Sequence, residues 1–288
     1  MRIAFHGAAG SVTGSNHLIQ TEGGTLMIDC GMFQGPKEIR TRNHMAFAYQ
    51  PQTIDAVIIT HAHIDHSGRL PRLVKQGYSG PIYATPATAE LLRILLLDSA
   101  HIQMSDSSWE NKKRKRKGQE LVQPLYDDQD VEATLKLVRA VDYHTPFQIL
   151  PNVRATFHDA GHIMGSSFLE LAITEHGITR TLIGGGDLGR SHQAIIGDPE
   201  VGDRADMVMI ESTYGNRRHK NEEDTNAELI AVLKEVVETR GTLLIPAFAV
   251  GRTQEMLYRL FELSQSNSIP AMPVFVDSPM AREVTRIY

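Results

Sequence analysis

Cysteine is almost missing from this chain, with Cys30 the only one among 288 residues. Cys30 cannot form an internal disulfide, so we expect a small buried side chain, and any bound metal would rest on histidine and carboxylate ligands. Long apolar runs are missing too, since no stretch approaches the roughly 18 residues of a membrane span, and the N-terminus has no signal-peptide pattern. We therefore expect a cytoplasmic protein with no membrane partner.

Excess charge of either sign is also lacking. The net charge is −5 and the pI about 6.2, so the overall balance does not indicate a polyanionic partner. One local run differs, because six consecutive residues after Asn111 are cationic. The run is either a solvated connection between helices or an arm that contacts phosphates, and by itself it does not separate the two. Its members are Lys112, Lys113, Arg114, Lys115, Arg116 and Lys117.

The strongest chemical signal follows an apolar stretch at residues 56–60, which we expect to be a strand. His61 and His63 are two residues apart, so their side chains point the same way in an extended segment. Asp65 and His66 follow where the chain turns, and they could face a second ion. Nitrogen and oxygen donors without sulfur favour zinc over manganese or iron. A histidine-rich surface turn is the alternative that this spacing disfavours.

Two later segments could complete the site. His162 lies in a turn bounded by Gly161 and Gly165, between two expected strands, and could join His61 and His63. Asp187 follows three glycines at the end of another strand and could bridge two metals. Either feature alone would more often be structural, but beside the first cluster ligation is favoured.

The expected architecture is α/β. Up to about residue 200 short β-rich runs alternate with glycine and helices, which suits two facing sheets with helices outside. A hairpin is expected around residues 22–24, a helix from Pro86, and strands at 153–158, 168–173 and 181–183. Beyond residue 205, strands at 207–210, 242–245 and 274–276 alternate with helices, the first opened by a capping box at Thr225 and Glu228, as in a parallel sheet.

Together these residues resemble the metallo-β-lactamase fold hydrolases. The family carries an Asp after an early strand, here Asp29, then the His-x-His-x-Asp-His cluster, a later His and a bridging Asp, all in this order. The resemblance implies a four-layer αββα sandwich over residues 1–213 and two Zn²⁺ ions. It also implies these roles: His61, His63 and His162 hold one zinc, Asp65 and His66 belong to the second, Asp187 bridges, and Asp29 orients ligands without touching metal.

Three further motifs are similar to the β-CASP branch of that family, whose members cut nucleic acids. They are Glu-Ser-Thr-Tyr-Gly at 211–215, Ile-Pro-Ala-Phe-Ala-Val-Gly-Arg at 245–252 and Val-Asp-Ser-Pro-Met-Ala at 276–281. The resemblance is to its RNA-processing members, and it implies that Glu211 lies at the active site and Arg252 contacts phosphate. The branch has two more histidine motifs further on. We therefore expect a fragment with an incomplete β-CASP domain at residues 214–288 and a second zinc site one ligand short.

The expected function is a zinc-dependent ribonuclease that hydrolyses RNA phosphodiester bonds through a metal-activated water, with Asp65 and Glu211 catalytic. Endonuclease and 5′-exonuclease action both stay open. The alternatives are a hydrolase of a small ester, lactone or thioester, and a silent RNA-binding homologue. Single-stranded RNA is the expected partner, and a homodimer stays open. His158 precedes His162 by four residues and could lie near the metals, but a functional role is not the favoured expectation for it. The remaining histidines are treated as ordinary core or surface residues: His6, His17, His44, His101, His144, His176, His192 and His219.

Overall fold

The computed structural model describes residues 1–217 and 222–288. The chain forms two compact units, the first made of residues 1–191 and 198–211 and the second of residues 192–197 and 212–288. His219 lies outside the described residues. In the part that is described, no helix combines the length and the apolar character needed to cross a bilayer.

The first sheet of the first unit has six strands, arranged in chain order. The first three strands are antiparallel, and from the third onward each strand runs parallel to its neighbour. The expected hairpin at residues 22–24 is confirmed, because Thr21 pairs with Gly24. The strands are β1 (Arg2–Gly7), β2 (Asn16–Thr21), β3 (Gly24–Ile28), β4 (Ala56–Ile58), β5 (Ile82–Ala84) and β6 (Val138–Ala140).

The second sheet has five strands in the order β11-β10-β9-β8-β7. Its pairs are antiparallel except β10 with β11, which are parallel. The three strands expected between residues 153 and 183 all form. The strands are β7 (Phe147–Leu150), β8 (Val153–Asp159), β9 (Ser167–Glu175), β10 (Ile178–Gly184) and β11 (Met207–Met209).

The core of the first unit lies between the two sheets. Alternate residues of β3 and β4, such as Leu26 and Ile58, pack against Phe157 and Leu171 of the second sheet. Val57 points to the opposite face of the first sheet and is also fully buried, because helices cover that face. The expected α/β sandwich is confirmed. The helices of this unit are α1 (Lys37–Thr41), α2 (Ile64–Ser67), α3 (Leu70–Lys75), α4 (Pro86–Arg116) and α5 (Asp128–Leu135).

Helix α4 begins as expected at Pro86, where Thr85 Oγ1 accepts a hydrogen bond from the Thr88 amide at 3.3 Å. It continues for 31 residues, so residues 112–116 form its last turns. The interpretation of the basic run as a connection between helices is therefore wrong. Basic side chains at a helix C-terminus interact favourably with the helix dipole, and a turn signal appears only at Gly118.

The second unit contains three helices among its described residues, α6 (Glu222–Glu238), α7 (Arg252–Gln265) and α8 (Pro279–Ile287). Helices α6 and α7 pack around the buried side chains of Leu233, Leu260 and Ile269. Helix α8 contacts α7 through Gln254, whose Nε2 donates to Thr285 Oγ1 at 2.9 Å. The capping box expected at Thr225 and Glu228 is wrong, since α6 already begins at Glu222 and both residues lie inside it.

The strands expected at residues 242–245 and 274–276 do not form. A strand is stable only when a neighbour completes its hydrogen bonds, and neither segment has a ladder partner in the described part of the chain. Their side chains are accordingly open to solvent, with Leu244 87% and Phe275 85% exposed. The strand expected at 207–210 does form, as β11, but it pairs with β10 in the sandwich.

Candidate metal centre

The first cluster of ligands is delivered by the end of a fully buried strand. Beyond β4 the chain stays extended through His61 and His63 and then turns into α2, which carries Asp65 and His66. Ser67 Oγ donates a hydrogen bond to the Ala62 carbonyl at 2.9 Å and so closes this turn onto the strand end. Four potential ligands are thereby presented within six residues.

His61, His63 and His162 meet with their ring nitrogens together. His63 Nδ1 lies 3.1 Å from His61 Nε2 and 3.2 Å from His162 Nε2. Zinc bonds of about 2.0–2.1 Å in a tetrahedron require ligand atoms about 3.3 Å apart. The three nitrogens therefore fit one tetrahedral ion, and the expected three-histidine set is brought together from residues 99 positions apart.

The turn before β9 brings His162 to this place. Gly161 takes a positive φ of 60°, and its amide donates to Asp159 Oδ1 at 2.8 Å. The His162 amide donates to Ser166 Oγ at 3.0 Å. Ser167 then ties the turn to the first sheet, because its amide donates to the Thr60 carbonyl at 2.8 Å. The two sheets are thus joined next to the histidines.

A second group consists of His61, His66 and Asp187. His66 Nε2 lies 3.2 Å from Asp187 Oδ1, while His162 Nε2 lies 3.7 Å from Asp187 Oδ2. One carboxylate oxygen therefore faces each group, which is the arrangement of a bridging ligand. Asp65 lies at the margin of the second group, with Oδ2 3.9 Å from His66 Nε2.

Three glycines with positive φ, Gly184, Gly185 and Gly186, carry the chain from β10 to Asp187. A Cβ on Gly184 would overlap the carbonyl oxygen of Met209 in the neighbouring strand. Only glycine allows both this backbone conformation and this close approach. The glycines therefore allow the backbone to place Asp187 next to His66 and His162.

Asp29 is hydrogen-bonded to the ligand residue His66 and to residues next to the ligands. It is fully buried and accepts hydrogen bonds from the Thr60 amide at 2.9 Å, from Ser15 Oγ at 3.0 Å and from His66 Nδ1 at 2.7 Å. A ligating histidine commonly donates its second ring nitrogen to a carboxylate in this way. Asp29 thus contacts the ring nitrogen of His66 that is not directed at Asp187, and its orienting role stays a prediction.

The candidate ligands differ in how their surroundings shift their pKa values. Burial and the neighbouring His66, His63 and His162 hold the pKa of His61 well below its ordinary value. Burial would also lower the pKa of His66, but the charges of Asp29 and Asp187 outweigh it and raise that pKa well above the ordinary value. Burial would raise the pKa of Asp187, yet the hydrogen bond and charge of His66 outweigh it and lower it. Since ligation needs a neutral imidazole, His61 is ready to bind metal at neutral pH.

The remaining expected site residues lie elsewhere. Glu211 is partly buried and follows β11, whose parallel neighbour β10 leads to Asp187, so the two carboxylates follow the same ends of adjacent strands. Arg252 begins α7 in the second unit, and its Nη1 lies 3.2 Å from Glu255 Oε2. The cations at 112–117 are exposed except Arg114, which pairs with Glu110 at 3.0 Å.

Sequence reasoning missed two features. The partners of Asp29, Thr60 and Ser15, carry no signal of their own, because a serine or threonine near a strand is common. It also missed a separate group formed by His144, His158 and Glu200. The alternation of β8 placed His158 on its outer face, but nothing local connects Glu200 to a residue 42 positions earlier.

Comparison with known proteins agrees with this geometry. The family model described as Metallo-beta-lactamase superfamily matches residues 10–179. The chain is 39% identical over its whole length to Ribonuclease TTHA0252 of Thermus thermophilus, covering 61% of that protein. It is 35% identical to Transcription termination factor FttA of Methanosarcina mazei, covering all of this chain and 43% of that protein.

A solved structure of MEM-A1, a subclass B3 metallo-beta-lactamase from a soil metagenome library, is 18% identical, with a TM-score of 0.37 over 95% of this chain and 86% of that one. The chain spans less than two thirds of the length of either named relative. The family model matches more than half of the chain, and the two relatives bear out the resemblance to RNA-processing β-CASP proteins. The chain therefore belongs to the metallo-beta-lactamase superfamily.

Proposed function

We propose that this chain is part of a zinc-dependent ribonuclease. The observation that carries the proposal is the position of Asp187, which offers one carboxylate oxygen to His66 and the other to His162. Such a bridge between two groups of nitrogen ligands is a site for two neighbouring cations, and paired cations serve phosphodiester hydrolysis. We assign His61, His63 and His162 to the first ion and Asp65 and His66 to the second, with Asp187 shared.

Bound divalent ions supply Lewis acidity there: they neutralise phosphate charge and lower the pKa of water. The chain supplies the positions and the proton transfer. Burial raises the pKa of Asp65, and the charge of Asp187 adds to this, while His66 opposes it. A carboxylate of raised pKa is a better general base, so we assign Asp65 to accept the proton of the attacking water. Glu211 is assigned to the same active site because it follows the strand next to the one that leads to Asp187.

RNA is the proposed substrate. One relative is named a ribonuclease and another a transcription termination factor, and both names point to work on RNA. In this chain the basic end of α4 supports the proposal. Its cations are largely exposed, and Lys113 Nζ lies 3.3 Å from the ring centre of Trp109, which is itself 60% exposed. An exposed aromatic ring among cations suits single-stranded RNA, because bases stack on the ring while phosphates contact the cations.

These positions suggest a separate role for each group of residues. We assign phosphate contacts to residues 112–117 and Arg252, and hydrolysis of the phosphodiester bond to the metal centre. Cleavage can be endonucleolytic, 5′-exonucleolytic or both. The domain boundary at residue 213, the cytoplasmic location and the homodimer stay predictions.

The test measures bound zinc and cleavage of a 5′-labelled single-stranded RNA by the natural protein that contains this chain. His63→Ala is expected to abolish cleavage and remove the first ion. The matched control is His176→Gln, because His176 also faces a carboxylate, Glu22 at 3.0 Å, but is 83% exposed on the surface. The length of the products separates exonuclease from endonuclease action. Zinc binding with intact RNA and hydrolysis of small esters or lactones would overturn the proposal.

A further inference from the structure

A second group of ligand-type side chains lies outside the centre described above. The side chains of His144, His158 and Glu200 each offer an atom, and these atoms all lie within 4.8 Å of one another. His144 Nε2 is 3.1 Å from Glu200 Oε1, and His158 Nδ1 is 3.2 Å from Glu200 Oε2. These separations are close to the roughly 3.3 Å between ligand atoms of a tetrahedral zinc ion.

The backbone holds all three residues against one strand. His158 belongs to β8 and projects from the face of the sheet opposite the core, since its neighbour Phe157 is in the core. The amide of His144 donates to the Phe157 carbonyl at 3.0 Å, and the amide of Glu200 donates to the Asp159 carbonyl at 3.0 Å. The group is therefore built by fixed elements and does not depend on long flexible side chains alone.

The second ring nitrogen of His158 distinguishes a metal site from an ordinary ion pair. His158 Nε2 is buried and has no hydrogen-bond partner, and Glu170 Oε2 lies 3.5 Å from it. The ring stacks on Phe168, with ring centres 5.1 Å apart and an interplanar angle of 13°. A histidine that binds metal through one nitrogen typically directs the other at a carboxylate.

Without a metal, the two ring nitrogens of His158 do not both find a suitable partner. If neutral His158 donates Nδ1–H to Glu200, its bare Nε2 faces the negative charge of Glu170. If His158 is instead an imidazolium, one of its donors is buried without a hydrogen bond. A cation shared by Nδ1, His144 and Glu200 removes the first difficulty, because the neutral tautomer then carries its proton on Nε2, so that an N–H and not a bare nitrogen faces the carboxylate of Glu170.

We propose that His144, His158 and Glu200 form a further metal site, separate from the catalytic centre, that takes a divalent transition-metal ion such as Zn²⁺. Two imidazoles and one carboxylate favour zinc, nickel or copper over magnesium or calcium, which prefer oxygen ligands. The ion ties residue 200 to the end of β8, the strand that leads to His162. Its role is to stabilise this part of the first unit, so it is independent of the proposed ribonuclease activity.

The test is equilibrium binding of Zn²⁺, and of Co²⁺ by its visible absorption, to the natural protein with the catalytic ligands changed by His61→Ala, His63→Ala and His162→Ala. One ion is expected to remain. Adding Glu200→Gln or His158→Gln is expected to weaken that binding by about 100-fold or more, and Glu170→Gln by about 10–100-fold, the range typical of partners behind a ligand. His144→Asn keeps the positive φ of 56° at that position, which asparagine tolerates, and should also weaken binding.

The control is again His176→Gln, which removes an exposed histidine beside a carboxylate without touching the group. If the triple variant does not fold, the same comparison is made in the unaltered protein, where Glu200→Gln is expected to release one ion and leave RNA cleavage in place. Binding that no change at residues 144, 158 or 200 weakens would show an adventitious ion only, and no remaining ion would equally overturn the proposal.

Discussion

Nδ1 of His66 lies 2.7 Å from Oδ2 of Asp29, and both side chains are almost completely buried. The contact leaves Nε2 of His66 directed at Asp187, 3.2 Å away. Asp29 itself adopts a φ of 59°, in the left-handed region that non-glycine residues seldom use, and four side-chain or backbone donors from three residues hold its carboxylate. A buried carboxylate thus sets which nitrogen of His66 is available to a metal.

The first prediction concerns this contact. Asp29→Asn places an amide NH₂ among groups that all donate hydrogen bonds, so His66 loses its support. We expect zinc affinity of the site at His66 and Asp187 to fall by about 10–100-fold, as measured by competition with a chromophoric chelator.

The matched control is Asp55→Asn, because Asp55 accepts a hydrogen bond from the Thr25 amide at 2.7 Å and directly precedes β4, at the end of the strand opposite the ligands. Equal losses in both variants would mean that Asp29 acts only on overall stability.

The second prediction concerns metal removal. A ligand that binds only the folded state stabilises it, and zinc at 1,000 times its Kd adds about 4 kcal/mol to the free energy of unfolding. We therefore expect chelation with EDTA to lower the melting temperature of the first unit by several degrees. His63→Ala, which loses the first ion, should show a smaller drop in melting temperature on adding EDTA than the unaltered protein does. A melting temperature of the unaltered protein that EDTA leaves unchanged would contradict the metal assignment.

The third prediction concerns the lone thiol. Cys30 is fully buried, and burial raises its pKa to about 12. At pH 8 the native thiol should react with a disulfide reagent on the order of 1,000-fold more slowly than the chain unfolded in guanidinium, because so little thiolate is present. Rapid reaction in the native state would contradict the burial.

The same shift predicts how stability depends on pH. The unfolded thiol loses its proton at a pKa of about 8.5, well before the folded one. The contribution of Cys30 to stability is therefore complete below that pH and is lost progressively as the pH rises toward 12. Urea unfolding between pH 8 and pH 11 checks this, and Cys30→Ser, whose hydroxyl does not titrate in this range, should flatten the dependence.

The fourth prediction concerns the basic end of α4 and rests on the proposed RNA substrate. Lys112→Ala with Lys115→Ala removes two exposed charges, which should weaken binding of single-stranded RNA and reduce the slope of log K against log salt by about 1.4. Lys136→Ala is the control, since this exposed lysine follows α5. An unchanged salt slope would show that the basic run does not contact RNA.

Local patterns predicted much of this structure. The spacing of His61, His63 and His66 and the glycines before Asp187 were sufficient to identify the candidate ligands. Pro86 predicted the start of α4, and the glycine pair at 23 and 24 predicted a hairpin. Each of these signals depends on residues a few positions apart, which the sequence displays directly.

The errors have a common physical cause. Residues 242–245 and 274–276 have the composition of strands, but a strand needs a partner that composition does not reveal. Thr225 and Glu228 have the spacing of a capping box, yet α6 begins earlier. The basic run is polar enough for a loop, but its residues are good helix formers and continue α4.

By itself, the sequence determined the type of candidate ligand, which is nitrogen and oxygen donors. It also predicted an α/β sandwich in which the ends of strands carry these ligands. These follow from side-chain type and from the periodicity of strands. Only the tertiary structure decided that Asp187 faces both His66 and His162, that Asp29 supports His66, and that Glu200 meets His144 and His158. Those contacts join residues 25 to 121 positions apart, and their geometry depends on how two sheets pack, which no local pattern contains.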